Sequence, residues 1–321
     1  MPPKPQEDST PVLDITGLTK KYGRLTVLDN VSLSVPRGRV FGLLGPNGSG
    51  KTTLLSILLG VVQPTSGSYS WWPASGKNER PVMSALLEKP NFLPHLPARL
   101  QLRMMAEVKR IPPAAQAHEI ARVLHIVQLH DIGKMPFQKM SLGMKQRLAI
   151  ASALLGAPEV IVLDEPTNGL DPQGIIDIRN LILDLSRQEN ITILLASHIL
   201  SEIEKTCSHV AVLKAGRLLQ SGPISDFIPR EKGASSILVL DVSAGAERQK
   251  SLETALQQMP DCTHIEALSA DEGLLRASFG PELRSAADLN KRLAAQNLYI
   301  SHLQERRPQL EERFLQALRK S

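Results

Sequence analysis

The 321-residue chain has only two cysteines, Cys207 and Cys262, and little aromatic surface: Phe, Trp and Tyr together make up 3%. Two distant cysteines without metal-ligand neighbours exclude a disulfide framework and a zinc site, and they suit a reducing compartment. With so few rings, Leu, Ile, Val and Ala must do most of the packing. Long apolar runs are missing too. The longest, Leu54 to Val62, falls far short of the ~20 residues that cross a bilayer, so on a membrane another chain would have to supply the span. The N-terminus, MPPKPQEDSTP, lacks the apolar run of a secretory signal, and residues 1–11 are expected to form a disordered lead-in. The net charge is +5, but the basic residues are scattered, so no nucleic-acid partner is expected.

What is present is ordinary for a globular protein: 42% hydrophobic and 21% charged residues, with room for a large α/β domain and a smaller appendage. Apolar runs at Val12–Leu18, Val27–Val35 and Arg39–Leu44, separated by turns rich in Gly, Pro and Asn, predict strands. The third feeds into a glycine-rich loop. Thr52–Leu59 reads as a helix stopped by Gly60 and Pro64. Helical periodicity fills about Pro97 to Leu155, broken at Ile111-Pro112-Pro113 and at Gly133. Val160–Leu163 and Ile191–Ala196 have the short apolar form of buried parallel strands. The expected fold is therefore an α/β domain over 12–230 with a helical insert at about 90–157.

Composition shifts near Gly222-Pro223, and after Lys232-Gly233 the pattern restarts. A strand Ile237–Val242, a helix Glu247–Gln258, strands near His264–Leu268 and Leu274–Phe279, a helix Arg284–Gln296 and a strand Leu298–Leu303 are expected. They would make a small α+β domain over 231–321, closed by an amphipathic helix that starts at Pro308. No internal repeat marks a second copy of the first domain.

The loop Gly45-Pro46-Asn47-Gly48-Ser49-Gly50-Lys51-Thr52, followed by Thr53, supplies what a polyphosphate needs. Backbone amides can curl round the oxygens, the Lys51 ammonium meets β/γ charge, and the Thr52 hydroxyl suits Mg²⁺. A helix starting at Lys51 adds its positive dipole end. By itself this pattern leaves kinases, GTPases and other ATPases open. Further on, the apolar run Val160–Leu163 ends in Asp164 and Glu165. The first acid would hold Mg²⁺ through water, and the second would polarise an attacking water. The run Ile191–Ala196 ends in Ser197-His198, which puts a histidine at the tip of another buried strand, where it would sense the γ-phosphate.

The ordered set GPNGSGKTT, SLGMKQR, VIVLDEP, GLD and SH resembles the ATPases of the ABC transporter family over roughly Val12 to Ser221. The segment Met140–Arg147 discriminates, being similar to the family signature LSGGQxQR, although Leu142 and Met144 depart from it. The resemblance implies a P-loop ABC ATPase domain with an antiparallel β subdomain and a helical insert. ATP would lie between two subunits, Ser141 and Gly143 of one closing on the phosphate loop of the other. It also implies adenine stacking on Tyr22 and a contact from Asp171, in Gly169-Leu170-Asp171, to the partner's phosphate loop. Glu88 stands where the family usually has a metal-linked Gln. Asn91-Phe92-Leu93 would receive a membrane partner, and the degenerate signature and Glu88 point to the bacterial antibiotic and peptide exporter branch. The implied protein is a homodimeric ATPase using ATP and Mg²⁺ on the cytoplasmic face of a membrane, with separately encoded permease chains. An importer ATPase, or a soluble ABC ATPase of translation or repair, are the alternatives.

Overall fold

A computed structural model describes residues 11–72, 81–87, 92–227, 238–269, 271–280, 282–283 and 285–306. The chain divides into two compact units, Met1–Ile224 and Ser225–Ser321. In the first, β1 (Leu13–Tyr22), β2 (Leu25–Val35), β3 (Val40–Leu44), α1 (Lys51–Leu58), β4 (Ser66–Trp71) and β5 (Met83–Leu86) are followed by α2 (Ala98–Val108), α3 (Pro113–Ile126) and α4 (Leu142–Leu154). Then come β6 (Val160–Asp164), α5 (Pro172–Gln188), β7 (Thr192–Ser197), α6 (Leu200–Thr206), β8 (His209–Lys214) and β9 (Arg217–Pro223). A short helix, α7 (Ile224–Phe227), spans the division.

Two sheets share this unit. One is antiparallel, in the order β2-β1-β4; the other runs β5-β6-β7-β3-β8-β9 and is parallel except at its β9 edge. Every residue of β3 and β7 is buried, which explains why these strands are apolar throughout rather than alternating: helices and the second sheet cover both faces. Leu54, Leu55 and Leu58 of α1 join Leu13, Leu28 and Phe41 in one core cluster, each buried side chain contributing about 1.5–3 kcal/mol. Trp71 is buried and donates its indole N–H to the Leu58 carbonyl at 3.2 Å. Its neighbour Trp72 is exposed, as alternation along an extended chain requires.

The helical insert breaks where the sequence predicted. α2 stops before Ile111-Pro112, α3 opens on Pro113, and Ser141 caps α4 by accepting from the Met144 amide at 3.2 Å. Lys109, just beyond α2, is exposed as a residue, but its ammonium meets three acceptors. It donates to Ser84 Oγ at 2.8 Å and to the Ala153 and Leu155 carbonyls at 3.0 and 2.8 Å, at the end of α4. Burial of the head group lowers its pKa to about 8, against a smaller upward pull from Glu119.

The second unit runs β10 (Leu238–Ser243), α8 (Gln249–Gln257), β11 (Cys262–Ser269), β12 (Leu274–Phe279), α9 (Ala286–Ala294) and β13 (His302–Arg306). Its sheet order β11-β12-β10-β13, with all neighbours antiparallel, is the ferredoxin-like βαββαβ arrangement. Leu240, Val242, Leu252, Leu256, Phe279 and Leu293 pack its core. Two buried acids are paired, Asp241 with Arg276 at 2.8 Å and Asp261 with Arg292 at 2.6 Å.

The strand expected at Leu298–Leu303 begins later, at His302. Asn297 takes a left-handed φ of 57° and the Leu298 amide returns to the Leu293 carbonyl at 3.0 Å, so this apolar stretch first closes α9. Leu298 and Ile300 then pack on the core. Residues 1–10 of the expected lead-in, Lys232-Gly233 and the closing helix expected from Pro308 lie outside the described residues.

Candidate functional site

The parallel sheet brings three strand ends to one edge. Asp164 at the end of β6 is level with Ala196 of β7, and Leu44 at the end of β3 is level with Ser197. The residues that follow each strand are those the sequence singled out: Gly45 after β3, Glu165 after β6 and His198 after β7. In an open α/β sheet the carboxyl edge is where ligands bind.

The loop between β3 and α1 is held from below. Its Gly45 amide donates to the Ser197 carbonyl at 3.4 Å, the Ser49 amide to Pro46 at 3.1 Å, and the Gly216 amide to Ser49 at 3.0 Å. A side chain at Gly45 would collide with the Leu213 carbonyl and with Ser49. Gly50 has a φ of 102° and faces Leu28 and the Val27 carbonyl, so it needs both the missing Cβ and the left-handed conformation. Past it, the first amides of α1 have no acceptor within the helix. Ser49 Oγ is buried without a hydrogen-bond partner among the described residues. A buried orphan hydroxyl is costly unless something supplies its partner, and a phosphate oxygen is of the right kind.

Lys51 is 5% exposed, with Nζ donating to the Gly45 carbonyl at 2.7 Å and to the Pro46 carbonyl at 3.2 Å. Burial pushes its pKa below the usual lysine value, while the charges of Glu165 and Asp164 pull it back up. Thr52 Oγ1 donates to Asp164 Oδ2 at 2.8 Å, across 112 residues of sequence. Glu165, in the turn after β6, has a left-handed φ of 48°; seven other non-glycine residues among those described also have positive φ. Its amide donates to the Ala196 carbonyl at 2.9 Å, and its Oε1 lies 2.8 Å from His198 Nδ1.

Lys51, Thr52, Asp164 and Glu165 open onto one cavity of about 370 Å³, also lined by Asn47, Gly48, Gly50 and Thr53. The phosphate loop and the acid pair are thus together, with His198 tied to them through Glu165. Tyr22 does not line the cavity; it ends β1 half exposed, with Lys20 Nζ 4.7 Å from its ring centre. Ser141, Gly143 and Asp171 do not line it either. Asp171 caps α5, accepting from the Gly174 amide at 3.2 Å, and an added Cβ at Gly143 would meet nothing within 4 Å. Glu88 and Asn91 lie outside the described residues, while Phe92 packs edge to face on Phe137 at 5.2 Å.

Sequence reasoning missed Val27, Leu86, Leu87, Leu142, Gln146 and Asn168, which complete the cavity wall. Leu142 and Gln146 were visible as one face of the signature helix, being four residues apart. Val27, on the neighbouring sheet, carried no signal.

The family model described as ABC transporter matches residues 28–168, the span from β2 through the phosphate loop to the acid pair. The bacitracin transport ATP-binding protein BcrA of Enterococcus faecalis is 32% identical over 308 residues, covering 94% of this chain and 95% of that protein. This chain belongs to the ABC transporter ATP-binding family. It is an ATP-binding ATPase. The ABC ATPase is also 36% identical over 245 residues to the Nod factor export ATP-binding protein I of Ralstonia nicotianae, covering 74% of this chain and 75% of that one. Its fold matches the solved structure of cbiO1 from Clostridium perfringens, part of the ABC transporter complex cbiONQ, with a TM-score of 0.62 and 26% identity over 68% of this chain and 90% of that one. Among the described residues of the ABC ATPase, no helix is long and apolar enough to cross a membrane.

Proposed function

We propose that the ABC ATPase drives an exporter from the cytoplasmic face of a membrane, as a homodimer bound to separately encoded permease chains. The observation that carries its ATP chemistry is the meeting of Lys51, Thr52, Asp164, Glu165 and His198 at one sheet edge. The names of the relatives, bacitracin transport and Nod factor export, support the exporter assignment and disfavour an importer or a permease-free ATPase.

The donor set fits Mg²⁺, a hard cation that keeps several waters and takes one or two carboxylates together with phosphate oxygens. Thr52 and Asp164, already within hydrogen-bond reach of each other, would hold it, and Glu88 would stand near it. When bound it supplies positive charge for the β- and γ-phosphates. Lys51 adds a second positive charge from a buried position where it is poorly screened. The Gly45–Thr53 segment binds phosphate through its amides, with the buried Ser49 hydroxyl as a further donor. Tyr22 offers a face to the adenine, and Phe92 belongs to the permease-binding surface.

Glu165 orients the attacking water and takes its proton on a carboxylate oxygen, while His198 holds the other side of that carboxylate and reaches the γ-phosphate. Ser141 and Gly143 would close the site from a second copy, and Asp171 would face the partner's phosphate loop. In a single chain α4 reaches the cavity through Leu142 and Gln146, which leaves Ser141 and Gly143 available to another subunit. Ser141 accepts a bond in capping its own helix, so its hydroxyl proton is still able to donate.

Purification from native membranes in mild detergent tests the reading. A multi-span protein is expected to accompany the ATPase, and ATP is expected to convert free monomers to dimers. A chain recovered alone and monomeric under both conditions would contradict it.

A further inference from the structure

Behind the Glu165–His198 pair lies a carboxylate that neither the motifs nor the cavity include. Glu202, in the first turn of α6, accepts from Thr167 Oγ1 at 2.5 Å on Oε2, and Ser197 Oγ lies 3.5 Å from the same oxygen. Thr167 and Ser197 are both buried. A 2.5 Å hydroxyl-to-carboxylate distance belongs to the short, charge-assisted class, about twice as strong as a neutral hydrogen bond.

Thr167 is two residues after Glu165, in a turn closed by the Asn168 amide on the Glu165 carbonyl at 3.2 Å. Ser197 directly precedes His198, and its Oγ also accepts from the Ile199 amide at 3.0 Å. These contacts close a ring. It runs from the Glu165 carboxylate to the His198 imidazole, along the backbone to Ser197, across to Glu202, across to Thr167, and back through Pro166 to Glu165. The ring contains the left-handed backbone at Glu165, a conformation that persists only where surrounding structure imposes it.

We propose that Glu202 is a positioning residue, fixing the Glu165 carboxylate against His198 through its hold on Thr167 and Ser197. The role rests on the reading that Glu165 activates water. A purely structural alternative is that an acid in the first turn of α6 complements the helix dipole. Thr167→Val separates the two, since it removes the tether and leaves that acid in place.

The test is steady-state hydrolysis by the full chain, with Glu165→Gln measured alongside. Thr167→Val and Glu202→Ala should each lower kcat about tenfold or more, because small misplacements of reacting groups are costly. KM for ATP should stay within about twofold, since the phosphate loop is untouched. The double variant should be no slower than the slower single one. Glu202→Gln keeps an acceptor for Thr167 and should recover most of the rate. Thr167→Ser keeps the hydroxyl and should run at the wild-type rate, a comparison that holds even if the valine variant folds poorly.

Without nucleotide, the His198 ring nitrogen signals in ¹⁵N NMR should move in Thr167→Val. Unchanged kcat and unmoved His198 signals in Thr167→Val, or losses that multiply in the double variant, would overturn the proposal. Inactive Glu165→Gln together with wild-type Thr167 and Glu202 variants would remove this tether alone. Active Glu165→Gln would instead remove the assignment of Glu165.

Discussion

The parallel sheet of the first unit and the antiparallel sheet of the second treat buried charge in opposite ways. In the second, each buried acid faces a guanidinium: Asp241 meets Arg276 and Asp261 meets Arg292. In the first, Lys51 is buried against backbone carbonyls with a lowered pKa and the acids Glu165 and Asp164 nearby. Orphaned buried polar atoms (Ser49 Oγ and Asp261 Oδ1) and left-handed non-glycine residues (Glu165 and Asn297) occur in both units. The contrast therefore rests on Lys51, a buried cation at the edge where a polyphosphate would supply the missing negative charge.

The largest effect is expected in the second unit. Phe279 is fully buried there, and Phe279→Ala should cost about 3–5 kcal/mol. Both tryptophans lie in the first unit, so hydrogen exchange at β10 and β12 amides is the suitable probe. Faster exchange there with unchanged ATP affinity is the expected result, and lost ATP affinity would break the contrast. Lys51→Ala should do the reverse, weakening ATP binding by about a hundredfold, or roughly 3 kcal/mol for a lost charge-assisted contact. Titration with a fluorescent nucleotide measures it, and wild-type affinity would remove the phosphate-loop assignment.

Ser141→Ala should cost about 1 kcal/mol through the lost cap on α4. It should also slow ATP-dependent dimer closure, which light scattering would detect. The smallest effect concerns Lys109, whose pKa falls to about 8 in the fold. Because burial penalises its charged form, the unfolded chain binds more protons between pH 8 and the ordinary lysine value. Stability should therefore rise slightly with pH through that window. In urea titrations Lys109→Met should flatten this rise, and an unchanged slope would mean that the ammonium is not the source.

Much of the site could be read from the sequence because its chemistry is local. Gly45–Thr52 carries its proposed phosphate role in consecutive residues, and the apolar runs before Asp164 and His198 reveal strands whose tips point to one edge. The tether through Glu202 was hidden. Its partners Thr167 and Ser197 come from two different connections, and each is an ordinary polar residue when read alone. The wall residue Val27 was hidden for the same reason, coming from the neighbouring sheet. At Leu298–Ile300 apolar character predicted strand, whereas tertiary packing used it to close α9; a short apolar run does not say which element it serves.

The most direct test is Glu165→Gln in the full chain, with hydrolysis and association state followed together. The site geometry predicts that ATP still binds, that turnover is abolished, and that ATP holds two chains together as a stable dimer in light scattering. Hydrolysis near the wild-type rate, with no ATP-dependent dimer, would contradict it.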